Sequence, residues 1–244
     1  RELLHESGSI FVQISDENIH HVRELMDEVF GAENFVAELV FRKKQMSLGA
    51  KYIDSMCDYL IWYGKDKAQL KYRQLYKRRQ VEGDTVWAWV QLPDGRRRRL
   101  SSAEVDNHGI LPDGSKIFRL QRLKPAGFNP SCVFGVEFEG RWYMPPYGGS
   151  WVTNEQGMRK LLVAQRITPT GDNLNYNQMF EDYPVVILDN LWVDTAGEPE
   201  KLYAVQTNTN VIERCLLMTT DPGDLVFDPT CGSGTTAYVA EQWG

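Results

Sequence analysis

Residues 221–237, DPGDLVFDPTCGSGTTA, constrain this chain most, because they join a turn, a short apolar run and a glycine loop that opens a helix. Leu225, Val226 and Phe227 follow an Asp-Pro-Gly turn and stop at Asp228-Pro229. That frame predicts a short buried strand of a parallel sheet, since the run is too brief for a buried helix. Gly232-x-Gly234-x-x-Ala237 then has the spacing with which a strand feeds a tight turn and a helix whose N-terminal amides face a ligand. No lysine follows the second glycine, so a phosphate-cradling P-loop fits poorly. Dinucleotide binding stays open, because the ribose-holding acid would fall about 20 positions later and the sequence ends at Gly244.

The elements before the loop follow from periodicity. Glu2–Leu4 read as a helix end, and Ile10–Ile14 as a strand. Ile19, Val22, Leu25, Met26, Val29 and Phe30 recur at helical spacing, with Ser15 or Asp16 as a cap and Gly31 as the stop. Phe35–Phe41 and Asp58–Tyr63 are further strands, joined by a polar connection long enough to suggest a functional loop or disorder. Glu155–Arg166 predict a short helix with Met158, Leu161 and Leu162 on one face. Val211, Ile212, Cys215 and Leu216 predict another just before the loop, with Asn210 and Glu213 as its capping arrangement. A Gly-Pro break at Gly197–Pro199 precedes it.

Formal charge is −6, which argues against a nucleic-acid partner until it is divided along the chain. Residues 71–130 hold 13 Lys or Arg against 6 Asp or Glu, a net of +7 that leaves −13 elsewhere. Within that basic stretch LPDG occurs twice, at 92–95 and 111–114, predicting two hairpin-like turns. Arg96, Arg97, Arg98 and Arg99 follow the first turn, while Arg119, Arg122 and Lys124 flank the segment after the second. Arginines projected by a turn suit phosphate contacts, although such a run is also an ordinary solvated face.

The segment FDPTCGSGTTAYVAEQWG closely resembles the S-adenosylmethionine loop of DNA amino-methyltransferases, especially modification subunits of type III restriction systems. The resemblance implies that Asp228, Pro229, Gly232, Gly234 and Thr235 bind the methionine part of the cofactor, and that Gln206, Thr207 and Asn208 contact it from the preceding helix start. It implies an α/β, Rossmann-like methyltransferase fold in circularly permuted order. Residues 1–70 would form the first part of the core, 71–196 an inserted target-recognition region, and 197–244 the cofactor-binding part. The activity implied is methyl transfer to the exocyclic amine of a DNA base, most often N6 of adenine. Lys43 and Lys44 become candidate DNA contacts beside the target-base pocket, and Asn173, Asn175 and Tyr176 candidates for reading base edges in the insert.

The same family carries a catalytic Asp/Asn/Ser-Pro-Pro-aromatic motif. Tyr143-Met144-Pro145-Pro146-Tyr147 imitates it, but a thioether cannot hold an amino group as a carboxylate or amide does, so MPPY reads as a structural turn. No catalytic residue is assigned within the chain. The motif is expected upstream of Arg1, which makes the chain the middle of a longer enzyme and inactive alone. Double-stranded DNA is the expected partner, with a restriction subunit or a second modification subunit as further candidates. A sequence-specific DNA-binding module that has lost catalysis is the competing reading, and methylation of RNA or of a small molecule is a weaker one. Cys57, Cys132, Cys215 and Cys231 are too scattered for zinc pairs or a disulfide framework, so no metal is expected. No stretch spans a membrane and no signal peptide opens the chain, which points to the cytoplasm.

Overall fold

The computed structural model describes residues 1–47, 49–196 and 206–243. In chain order they form β1 (Ser9–Ile14), α1 (Ile19–Phe30), β2 (Phe35–Arg42), β3 (Cys57–Gly64), β4 (Tyr76–Arg78), β5 (Trp89–Gln91), β6 (Arg97–Arg99) and α2 (Ser102–Asp106). β7 (Lys116–Arg122), β8 (Val136–Phe138), β9 (Arg141–Tyr143), α3 (Glu155–Val163), β10 (Ile167–Thr170) and β11 (Asn173–Met179) follow. β12 (Val185–Ile187), β13 (Leu191–Trp192), α4 (Thr209–Thr219) and α5 (Thr235–Trp243) complete the set. The predicted Gly197–Pro199 break lies outside the described residues. Two compact units result, Arg1–Lys77 with Ile187–Gly244, and Arg78–Val186.

In the first unit the sheet order is β1-β3-β2-β13. β3 runs antiparallel to both β1 and β2, whereas β13 is parallel to β2. The β1-α1-β2 crossover therefore joins two parallel strands across a vacant position, and the following antiparallel strand fills it. Alternation along the strands dresses both faces. Ile10, Val12 and Ile14 pack with Ile61, Tyr63, Met26 and Phe30 under α1. On the other face Phe11, Leu39, Phe41 and Leu60 pack with Val211, Cys215 and Met218 of α4. Burial pushes the Cys215 thiol up, which suits an apolar wall.

Several local expectations need correction. α1 starts after Asn18 with no side-chain cap, because Asp16 instead accepts Ser55 Oγ at 3.4 Å. Glu2–Leu4 form a turn rather than a helix end. Asn208, not Asn210, caps α4, its side chain accepting from the Asn210 amide at 2.9 Å. The first LPDG turn does close a hairpin, pairing Gln91 with Arg97. The second leads from a short 3-10 helix into β7, so it closes none.

In the second unit five strands lie in the order β10-β11-β7-β5-β6. Arg97 on the outermost β6 sends its guanidinium to the carbonyls of Gln165 and Ile167, beside and on the opposite outer strand β10. The sheet is thus curled until its two edges are bridged by one side chain. Trp151, Met158, Ile167 and Leu174 form the core between this sheet and α3. This unit spans Arg78–Val186, and Lys71 and Arg73 are held in the first unit by Asp221, with Arg73 also donating to the Thr220 carbonyl.

Candidate cofactor and DNA site

The glycine loop departs from its expected setting. Leu225–Phe227 form no strand and pair with none of the described strands, with Leu225 96% and Phe227 68% exposed. An apolar run becomes a strand only beside a neighbour that takes its backbone hydrogen bonds, and no described strand flanks this one. Past Asp228 the loop is ordered from within. Asp228 Oδ1 accepts the Thr230 amide at 2.9 Å and its hydroxyl at 3.1 Å, while Oδ2 accepts the Thr236 hydroxyl at 2.6 Å. Burial alone would raise this carboxyl, but the three hydrogen bonds outweigh it and hold the group below its ordinary value. Asp228 is therefore ionised at neutral pH, at the mouth of α5.

Gly232 and Gly234 take φ of 53° and 80°, conformations that disfavour other residues. A Cβ at Gly234 would meet nothing within 4 Å, so open space lies against this backbone. Thr235 begins α5 and its hydroxyl pairs with Ser233 at 2.9 Å. The first amides of α5 have no partners inside the helix and carry its positive dipole end. An ionised carboxylate, open glycine backbone and a helix N-terminus thus stand within nine residues.

The start of α4 supplies a second cluster in the same unit. Thr207 donates its hydroxyl to Gln13 Oε1 at 2.6 Å, next to the Asn208 cap. Gln13 Nε2 in turn lies 3.5 Å from Asp58 Oδ2, and Asp58 Oδ1 pairs with Lys43 Nζ at 2.5 Å. Gln206 is half-buried. Lys44 pairs with Asp54, which also accepts from Ser47, across the connection between β2 and β3. Sequence reading missed Gln13, Asp58, Thr230 and Thr236. The second threonine of Gly-x-Gly-Thr-Thr is visible in the motif, whereas the Gln13 partnership depends on strand pairing that no spacing reveals.

The basic candidates of the second unit separate by what holds them. Arg97 is half-buried, and burial, then the nearby Arg166, lowers its pKa. Arg98 makes two bonds to Glu104, which closes a capping box on α2, and the Arg98 guanidinium leads the causes that push Glu104 down to about 2. Arg119 donates to Gln178 and lies over the Trp87 ring. Arg96 extends into solvent beside Asp94. Arg99, Arg122 and Lys124 are exposed, and no described side-chain bond or ion pair holds them. Asn175 is 7% exposed and donates to Thr170 Oγ1 at 3.0 Å, and Tyr176 on the other face of β11 packs on the core, so both are covered. Asn173 alone of that trio is exposed. Met144-Pro145-Pro146-Tyr147 is a turn, with Pro146 accepting the Gly149 amide at 2.7 Å and Tyr147 fully exposed.

Comparison with known proteins supplies the family. The chain is 26% identical over 249 residues to the type II methyltransferase M.EcaI of Enterobacter cloacae, covering 98% of this chain and 49% of that protein. It is 37% identical over 277 residues to the type II methyltransferase M.KpnI of Klebsiella pneumoniae, covering 98% and 59%. A third relative is the Mod subunit of the type III restriction-modification enzyme StyLTI of Salmonella typhimurium, 23% identical, with 98% and 36% covered. The chain thus spans about half the length of the first of these. The family model for N6/N4 DNA methylases matches residues 1–244, and this chain belongs to that DNA methylase family.

Proposed function

We propose that the chain provides the S-adenosylmethionine site and the DNA-recognition unit of an enzyme that methylates the exocyclic amine of a base in double-stranded DNA. One observation carries the reading: Asp228 is held ionised beside open glycine backbone at the start of α5. The residues fit the cofactor's amino-acid end, since a carboxylate can take its ammonium and helix-start amides its carboxylate. Asp228, Pro229, Gly232, Gly234 and Thr235 would hold that end, with Gln206, Thr207 and Asn208 as further cofactor contacts. When bound, the cofactor supplies an electrophilic sulfonium methyl group. The strand direction supports the same fold assignment, a permuted Rossmann-like sheet, because β3 runs against two parallel neighbours joined by a helical crossover.

Arg96, Arg99, Arg122 and Lys124 are the second unit's phosphate contacts in this reading, and Asn173 its base-edge reader, being exposed where Asn175 and Tyr176 are not. Lys43 and Lys44 of the first unit are further DNA contacts in this reading, on the β2–β3 connection. Among the two amines open to the family, N6 of adenine is our reading, on the resemblance to type III modification subunits. The Mod subunits among its relatives make a restriction subunit, or a second modification subunit, the protein partner to seek. Methylation of duplex DNA by the intact protein, followed by mass analysis of the released nucleosides, tests this. N6-methyladenine is expected. N4-methylcytosine would overturn the choice of base, and absence of any methylated nucleoside would overturn the activity.

A further inference from the structure

We infer that Gln13 is a positioning residue that couples cofactor binding to DNA binding, through the side-chain chain Thr207–Gln13–Asp58–Lys43. The inference rests on the proposed function, which places the cofactor at 206–208 and DNA at Lys43. Alternation puts Gln13 on the same face of β1 as Phe11, which packs against the α4 side of the sheet. Gln13 is the exposed residue at the end of that stripe, and both ends of its amide are engaged. Oε1 accepts from Thr207 at 2.6 Å, and Nε2 reaches toward Asp58 at 3.5 Å. Asp58 and Lys43 form a half-buried ion pair, their side chains 17% and 28% exposed. Four segments, the α4 start, β1, β3 and the end of β2, are thereby joined at one place.

Each link changes when its neighbour finds another partner. A DNA phosphate that draws Lys43 away leaves Asp58 a carboxylate short of one donor. The Gln13 amide is the next donor in reach, so it is pulled tighter and Thr207 with it. DNA therefore strengthens the hold on the cofactor, and by reciprocity the cofactor strengthens DNA binding by the same factor. A gain comparable to one hydrogen bond corresponds to about a fivefold change in Kd.

The test measures the Kd of S-adenosylhomocysteine, which has no methyl to transfer, by calorimetry on the intact protein with and without saturating duplex DNA. The parent is expected to bind about fivefold tighter with DNA. Gln13→Leu should bring the ratio to one while the Kd for DNA measured without cofactor and the melting temperature stay as in the parent. Gln13→Glu keeps size and the acceptor for Thr207 but opposes Asp58, so it too should lose the ratio even if the leucine variant folds poorly. A parent ratio of one, or a ratio kept in Gln13→Glu, overturns the coupling. Ligand binding that is lost in Asp228→Asn but coupled normally in Gln13→Glu would leave the cofactor reading standing and this inference refuted. A parent that binds no S-adenosylhomocysteine at all refutes both.

Discussion

Asp228 shows how a single carboxylate can be kept ready for a ligand. Its hydrogen bonds come from Thr230 in its own loop and Thr236 in the first turn of α5, so the charge is fixed without a lysine or arginine. Tyr63 shows the opposite treatment. Burial, then donation to Asp27 at 2.5 Å, raises its hydroxyl to about 12. A raised folded pKa stabilises the fold fully below the ordinary value of 10.0 and loses that contribution as pH rises through about 12. Melting temperature should therefore fall between pH 10 and 12 in the parent. In Tyr63→Phe it should start lower, by roughly 1 kcal/mol of lost hydrogen bond, and fall less steeply over that range. Parallel slopes in the two proteins would refute the assignment.

Among the elements, legibility tracked locality. α1 and α4 were readable because apolar residues at helical spacing are a local pattern, and Gly31 ended α1 at a φ of 89°. Leu225–Phe227 were not readable as they stand, since a strand exists only with a partner and three apolar residues do not bring one. Burial of Asn175 and Tyr176 comes from pairing of β11 with β10 and β7, and the β7 partners lie up to 61 residues away in sequence, as Phe118 does from Met179, so no spacing sets them. The four-arginine run was visible as charge, but its division between structure and solvent was not. Arg97→Ala should destabilise the second unit by about 1–3 kcal/mol by leaving the carbonyl of the buried Ile167 without its donor, while the Gln165 carbonyl is free to bond water. Arg99→Ala should leave melting unchanged and reduce the salt slope of DNA binding by about one. Chemical denaturation and salt titration of each variant check this, and the reverse pattern would reject it.

For the whole molecule, the second unit reads as an insertion whose two ends meet. The Arg79 amide donates to the Pro184 carbonyl at 2.9 Å, and just outside the unit Leu188 donates to Leu75 at 2.9 Å. Because the incoming and outgoing chains pair, the unit can be added without reordering the sheet that carries the glycine loop. Residues 78–186, produced alone, are expected to melt cooperatively around the Trp151–Met158–Leu174 core, and a featureless melt would show that they depend on the rest. Positive charge is concentrated over residues 71–130, most of them in the second unit, and the proposed function gives DNA contact chiefly to that stretch and cofactor binding to the glycine loop. Calorimetry of S-adenosylmethionine binding to the intact protein and to Asp228→Asn tests that division at its centre. The substitution keeps the side chain's size and removes its charge, so binding should weaken at least tenfold, about 1.4 kcal/mol, while the melting temperature stays nearly constant. Equal affinity in the two proteins would place the cofactor elsewhere and contradict the account.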